Sequence, residues 1–108
     1  MPSPNLIPMM HIGVLQFSME IPGALSLKDK RRVVQSLKEK LRRSYNVSIS
    51  EVGDHDVHTV ATLGAVMAGS DIPYINGALD KILGELRVWR DAELGDSQLE
   101  IISPSLEE

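Results

Sequence analysis

The run Asp54-His55-Asp56-Val57-His58 gathers two carboxylates and two imidazoles, the side chains that bind divalent metals and move protons. In an extended chain alternate residues share a face, so Asp54, Asp56 and His58 would point one way and His55 the other. That spacing matches no strong zinc signature, and two aspartates following Gly53 are ordinary hairpin-turn composition. The run is therefore read as a turn. Ser48, Ser50, Glu51 and His58 supply hydroxyls and a base on paper, but neither a nucleophile elbow nor a phosphate-cradling glycine loop accompanies them. Cysteine is absent, which excludes thiol catalysis, thiolate metal sites and disulfides. No catalytic residue, metal ligand or cofactor is expected, and the chain reads as non-enzymatic with no small-molecule substrate.

Charge is the feature that calls for a partner. The chain has 108 residues and a formal net charge of -4, yet residues 27 to 43 hold eight of its eleven Lys and Arg against Asp29 and Glu39 alone. This segment carries +6 and the remainder -10. A protein that is acidic overall does not bind nucleic acid diffusely, but one cationic face still offers a local field to phosphate. When successive residues are turned about 100° on a helical wheel, Arg31, Lys38 and Arg42 line one flank. Lys28, Arg32 and Arg43 continue that strip toward solvent, and these six residues are the candidate RNA contacts.

The elements that must position this strip follow from periodicity. Residues 1–9, with three prolines, are read as a flexible leader, in which Met9, or Met10 just after it, would also serve as a start. From His11 to Ile21 the chain alternates, placing Gly13, Leu15, Phe17, Met19 and Ile21 on one face. Ser26 with Asp29 three residues on forms a helix start resembling a capping box. Leu27, Val34, Leu37, Leu41 and Tyr45 then make the core stripe of a helix ending near Ser44, with Asn46 as its stop. A strand at 47–53 and a more apolar one at 57–69 form a hairpin. Ser70-Asp71 caps a second helix with Pro73 in its first turn and Ile75, Leu79, Ile82, Leu86 and Trp89 on its stripe. A last strand is expected at 97–103, and residues 104–108 are read as a disordered tail. Gly77 and Gly84 fall on one side of the second helix, away from its apolar stripe, and are read as tolerated on a solvent face.

The order strand, helix, strand, strand, helix, strand predicts one α+β domain over residues 10–103. It is a ferredoxin-like βαββαβ fold with a four-stranded antiparallel sheet and two helices on one face. No run approaches the ~20 apolar residues of a membrane span, and the start lacks a basic, apolar signal pattern, so a cytoplasmic, non-membrane protein is expected.

The segment SLKDKRRVVQSLKEKLRRSYNVSISEVGDHD, followed by ATLGAVMAGSD, resembles the YlxP-like family of small bacterial proteins of unassigned function. The resemblance implies the same ferredoxin-like fold and a genomic neighbourhood of transcription, translation-initiation and ribosome-maturation genes. One departure stands out: where the family pattern has an aspartate, an apolar residue, a tryptophan and a glutamine, this chain has Asp56-Val57-His58-Thr59.

Together these features predict an accessory protein of ribosome assembly or translation that docks on rRNA, within a ribosomal subunit, through its first helix. Base stacking of the kind seen on aromatic-bearing sheets is not expected. Phe17 faces the helices by alternation, while Tyr45 and Trp89 follow the helix stripes. The competing reading is a homodimeric or protein-docking module that uses the open sheet face, represented by Ile12, Val14, Val60 and Thr62. Its mixed set, with Gln16, Ser18, Ser48, Ser50 and Val66, is less hydrophilic than a purely solvated face requires.

Overall fold

The computed structural model describes residues 10–104, so the leader over 1–9 and all of the predicted tail except Pro104 lie outside the described residues. Six elements follow in the expected order: β1 (His11–Glu20), α1 (Leu27–Ser44), β2 (Ser48–Gly53), β3 (Val60–Gly69), α2 (Ile72–Arg87) and β4 (Glu93–Ile102). The strands form one antiparallel sheet in the order β2-β3-β1-β4, with β1 paired to both β3 and β4. This is the ferredoxin-like βαββαβ arrangement.

Alternation in β1 buries Gly13, Leu15, Phe17 and Met19 on the side covered by the helices, and Ala61, Leu63, Ala65 and Met67 of β3 join them. Helix α1 lies over β2 and β3, and α2 lies over β1, β3 and β4. The two helices bring Val34, Leu37 and Leu41, and Ile75, Leu79, Ile82 and Leu86, into one core. Gly13 fixes how closely α2 can approach: a Cβ there would come within 2.4 Å of Ile75 Cγ2 and 2.7 Å of Leu79 Cδ1. The strand carries glycine at that point so that the helix can rest on its backbone.

Both helix starts use the expected caps. The Ser26 hydroxyl accepts the Asp29 N–H at 3.1 Å, and the Asp29 carboxylate accepts the Leu25 N–H at 2.9 Å, so two otherwise orphaned donors are satisfied. Asp71 caps α2 by accepting the Tyr74 N–H at 2.9 Å. The end of α1 differs from expectation. Tyr45 is the C-cap in extended conformation and returns its N–H to Leu41 O, so Asn46 is not needed in a left-handed stop.

Three boundaries also move. β3 begins at Val60, because Asp54 adopts a left-handed φ of 56° and the Val57 N–H closes a turn on Asp54 O at 3.0 Å. β4 begins at Glu93, four residues before the predicted start. Gly95 and Asp96 are residue types that favour turns, but the Ser18 hydroxyl accepts the Asp96 N–H at 3.1 Å and holds the segment in the sheet at a register shift. Finally, α2 ends at Arg87, so Trp89 lies past the helix, half-buried beneath Lys40, whose ammonium is 5.2 Å from the ring centroid.

Candidate nucleic-acid interface

Helix α1 presents the cationic strip because its apolar residues fix its rotation. With Val34, Leu37 and Leu41 in the core, Lys28, Arg31, Arg32, Arg42 and Arg43 are exposed and Lys38 is half-buried. Among the described residues the only ion pair is Lys30 with Glu51. None of the six strip residues is neutralised by a described carboxylate, and their charge faces outward. Arg42 is partly committed: its Nη2 donates to Ile49 O at 3.0 Å, tying α1 to the edge strand β2.

Lys30 is the one cation in the segment that turns inward. It is 1% exposed, with Nζ 2.8 Å from Glu51 Oε2 and donating to the carbonyl oxygens of Asp54 at 2.8 Å, Val60 at 3.1 Å and His55 at 3.5 Å. Glu51 Oε2 balances the ammonium charge at 2.8 Å and has no hydrogen-bond partner besides this ion pair among the described residues. Lys30 thereby pins the start of α1 to the β2–β3 connection. The +6 of the segment is shared between this internal clamp and the outer strip.

The connection itself is shaped by this clamp. Asp54 Oδ2 accepts the Thr62 hydroxyl at 2.6 Å, and His55 Nε2 lies 3.3 Å from Glu51 O. Asp54, His55, Asp56 and His58 are all exposed in a turn, not extended, and the alternate-face placement expected for an extended chain does not occur. Among the described residues no three His, Asp or Glu side chains converge as metal ligands. Ser48 and Ser50 lie exposed on β2, while Glu51 is turned inward to Lys30.

The helices are joined at their far ends by Tyr45, whose hydroxyl donates a short hydrogen bond to Glu85 Oε2. This hydrogen bond, reinforced by burial and by the nearby carboxylate charge, pushes the Tyr45 phenol up to about 12 from its usual 10. Near the start of α1 a cleft of about 650 Å³ opens between Val33, Trp89 and the loops that follow β1 and α2. Its rim mixes Arg32 and Arg90 with Asp29, Asp91 and Glu93, so it does not extend the cationic strip.

The predicted sheet-face residues Ile12, Val14, Val60 and Thr62 lie on the side opposite the helices, all half-buried by their strand neighbours. The structure brings Ile12 and Val14 next to Ala68 and Val66 of β3, whereas Val60 and Thr62 sit toward the other end of the sheet, Thr62 near Asp54. Two features were missed by periodicity. Lys30 fills the gap in the 27, 34, 37, 41 spacing, and a three-four rhythm through position 30 marks it as a core site despite its charge. The absence of any Lys or Arg from the four strands is visible only once the strand boundaries are known.

The fold is similar to a solved structure titled "De novo designed protein Foldit4", at 15% identity and a TM-score of 0.49, covering 90% of this chain and 99% of that one. No curated protein matches the chain. No helix is long and apolar enough to cross a membrane among the described residues. The family model described as "Protein of unknown function (DUF503)" matches residues 12–99, which includes both helices, β2, β3 and all but the ends of β1 and β4. The chain belongs to the DUF503 family.

Proposed function

We propose that the protein is a non-enzymatic accessory factor of ribosome assembly or translation that docks on rRNA phosphates through α1. The observation that carries this reading is the exposed strip of Lys28, Arg31, Arg32, Arg42 and Arg43, with Lys38 at its margin, unpaired by any described carboxylate. Cations that the fold does not neutralise are available to displace counterions from a phosphate backbone. The aromatic side chains support backbone recognition over base reading. Phe17 is buried, Trp89 is under Lys40 and Tyr45 is half-buried, while the exposed aromatic, Tyr74, belongs to the first turn of α2 and not to α1, so the strip carries no aromatic platform of its own.

The test is charge reversal at positions free of internal duties. Arg31→Glu with Arg43→Glu leaves the Lys30 clamp and the Arg42 bond to Ile49 in place. The double variant should keep the wild-type circular dichroism and solution mass. Its affinity for a structured rRNA fragment, read by fluorescence anisotropy, should fall at least ~10-fold, with a shallower dependence on salt. Unchanged affinity and salt slope would assign the strip to solvation alone.

A further inference from the structure

The face of the sheet opposite the helices carries acid and no base. All eleven Lys and Arg lie in α1, in α2 or, as Arg90, in the connection after it, and none is on a strand. At one end of this face Glu20 stands directly across from Glu93 in the β1–β4 register, two like charges side by side on neighbouring strands. Such a pair costs stability unless something cationic lies over it. Asp54 and Asp96 line a polar depression of about 440 Å³ on the same face, with Gln16 and Gln98.

The other end is apolar. Ile12 lies between Ala68 and Ile102, and Val14 between Val66 and Glu100. Val66 and Ile102 remain 43% exposed. Gly64 extends the apolar area toward β2, because Val52 Cγ1 comes within 3.4 Å of where a glycine Cβ would stand. An apolar patch bordered by carboxylates and lacking any cation is complementary to an apolar surface bordered by Lys or Arg.

We infer that this face is the docking site for a cationic amphipathic helix of another protein. Apolar side chains of that helix would cover Ile12, Val14, Val66 and Ile102, and its basic residues would reach Glu100 and the Glu20–Glu93 pair. A helix is the natural third layer, since the sheet already takes two on its other face. Nucleic acid does not fit here, because phosphate would meet carboxylates. A second copy laid face to face would bring further carboxylates and no strand Lys or Arg to neutralise them. The inference is independent of the α1 strip, which points to the opposite side of the molecule.

The experiment is a titration of the full chain, at physiological salt, with a fluorescein-labelled 14-residue amphipathic peptide of leucine and lysine, beside its leucine and glutamate counterpart. Backbone amide shifts are mapped in parallel. The expected result is binding of the lysine peptide only, with shifts along β1, β3 and β4. Glu20→Gln with Glu93→Gln keeps the shape of the face while removing the repulsion. It should raise the melting temperature yet weaken the peptide about five-fold or more. Val14→Lys with Glu100→Lys should abolish binding, and Arg31→Glu with Arg43→Glu should not affect it. The inference is overturned if neither peptide binds, if both bind equally, or if the shifts fall on α1. It is also overturned if the glutamine variant binds as well as wild type, or if the free protein is a dimer whose interface is this face.

Discussion

An ammonium group that is 1% exposed must find all its partners inside the protein, and Lys30 finds one carboxylate and three carbonyls. Removing either charge of a buried pair leaves the other uncompensated, at a cost of about 3–5 kcal/mol. Lys30→Met is therefore expected to destabilise the domain by about 3 kcal/mol in chemical denaturation, with Glu51→Leu added to it recovering part of the loss. A Lys30→Met protein as stable as wild type would show the clamp to be dispensable. Tyr45 gives a second reading at this scale. Its folded-state pKa of about 12 lies above the ordinary 10, so the neutral phenol is the form the native state favours. Its contribution to stability is complete below pH 10 and lost as pH rises toward 12. Phenolate absorbance should show Tyr45 titrating near 12, and Glu85→Gln should bring it back toward 10. A residue such as Lys30 shows how a pattern is obscured: its position in the three-four rhythm belongs to the core, while its side chain class belongs to the surface. Only the inward-turned Glu51, on a strand whose rotation depends on its pairing with β3, reconciles the two.

The elements themselves were legible because period and caps agreed. β1 and both helices follow apolar spacing with Ser26 and Asp71 at the starts, and the structure places them within a residue or two of expectation. β4 was legible only from residue 97, since its first residues are held by a tertiary contact, the Ser18 hydroxyl on the Asp96 N–H, that no local signal announces. Glycines divide at this scale by what surrounds them. At Gly77 and Gly84 of α2 a Cβ would meet nothing within 4 Å, which agrees with tolerance on an open face. Gly84→Ala should stabilise the domain by roughly 0.5–1 kcal/mol, seen as a higher melting temperature. Gly13→Ala should do the opposite, by about 1–3 kcal/mol, because Ile75 and Leu79 of α2 would have to withdraw from β1. If the two changes had the same sign, the close seating of α2 on β1 would be wrong.

Across the whole molecule, charge is sorted by layer. The helices and the connection after α2 hold every Lys and Arg, while Glu20, Glu93, Asp96 and Glu100 belong to strands that have neither. The concentration of charge near residues 27 to 43 was visible in sequence, but the depth of the sorting was not, because it depends on which residues lie in strands. Under the two proposals made above, one side of the molecule would meet phosphate and the other a basic protein surface, the two components a ribonucleoprotein particle presents together. Docking through α1 is tested by co-sedimentation of the purified protein with ribosomal subunits at low and at physiological salt, comparing wild type with Arg31→Glu/Arg43→Glu. Wild type is expected to remain with one subunit at physiological salt, and the variant to stay in the supernatant. Failure of wild type to sediment with either subunit, or equal sedimentation of the two proteins, would contradict docking through α1.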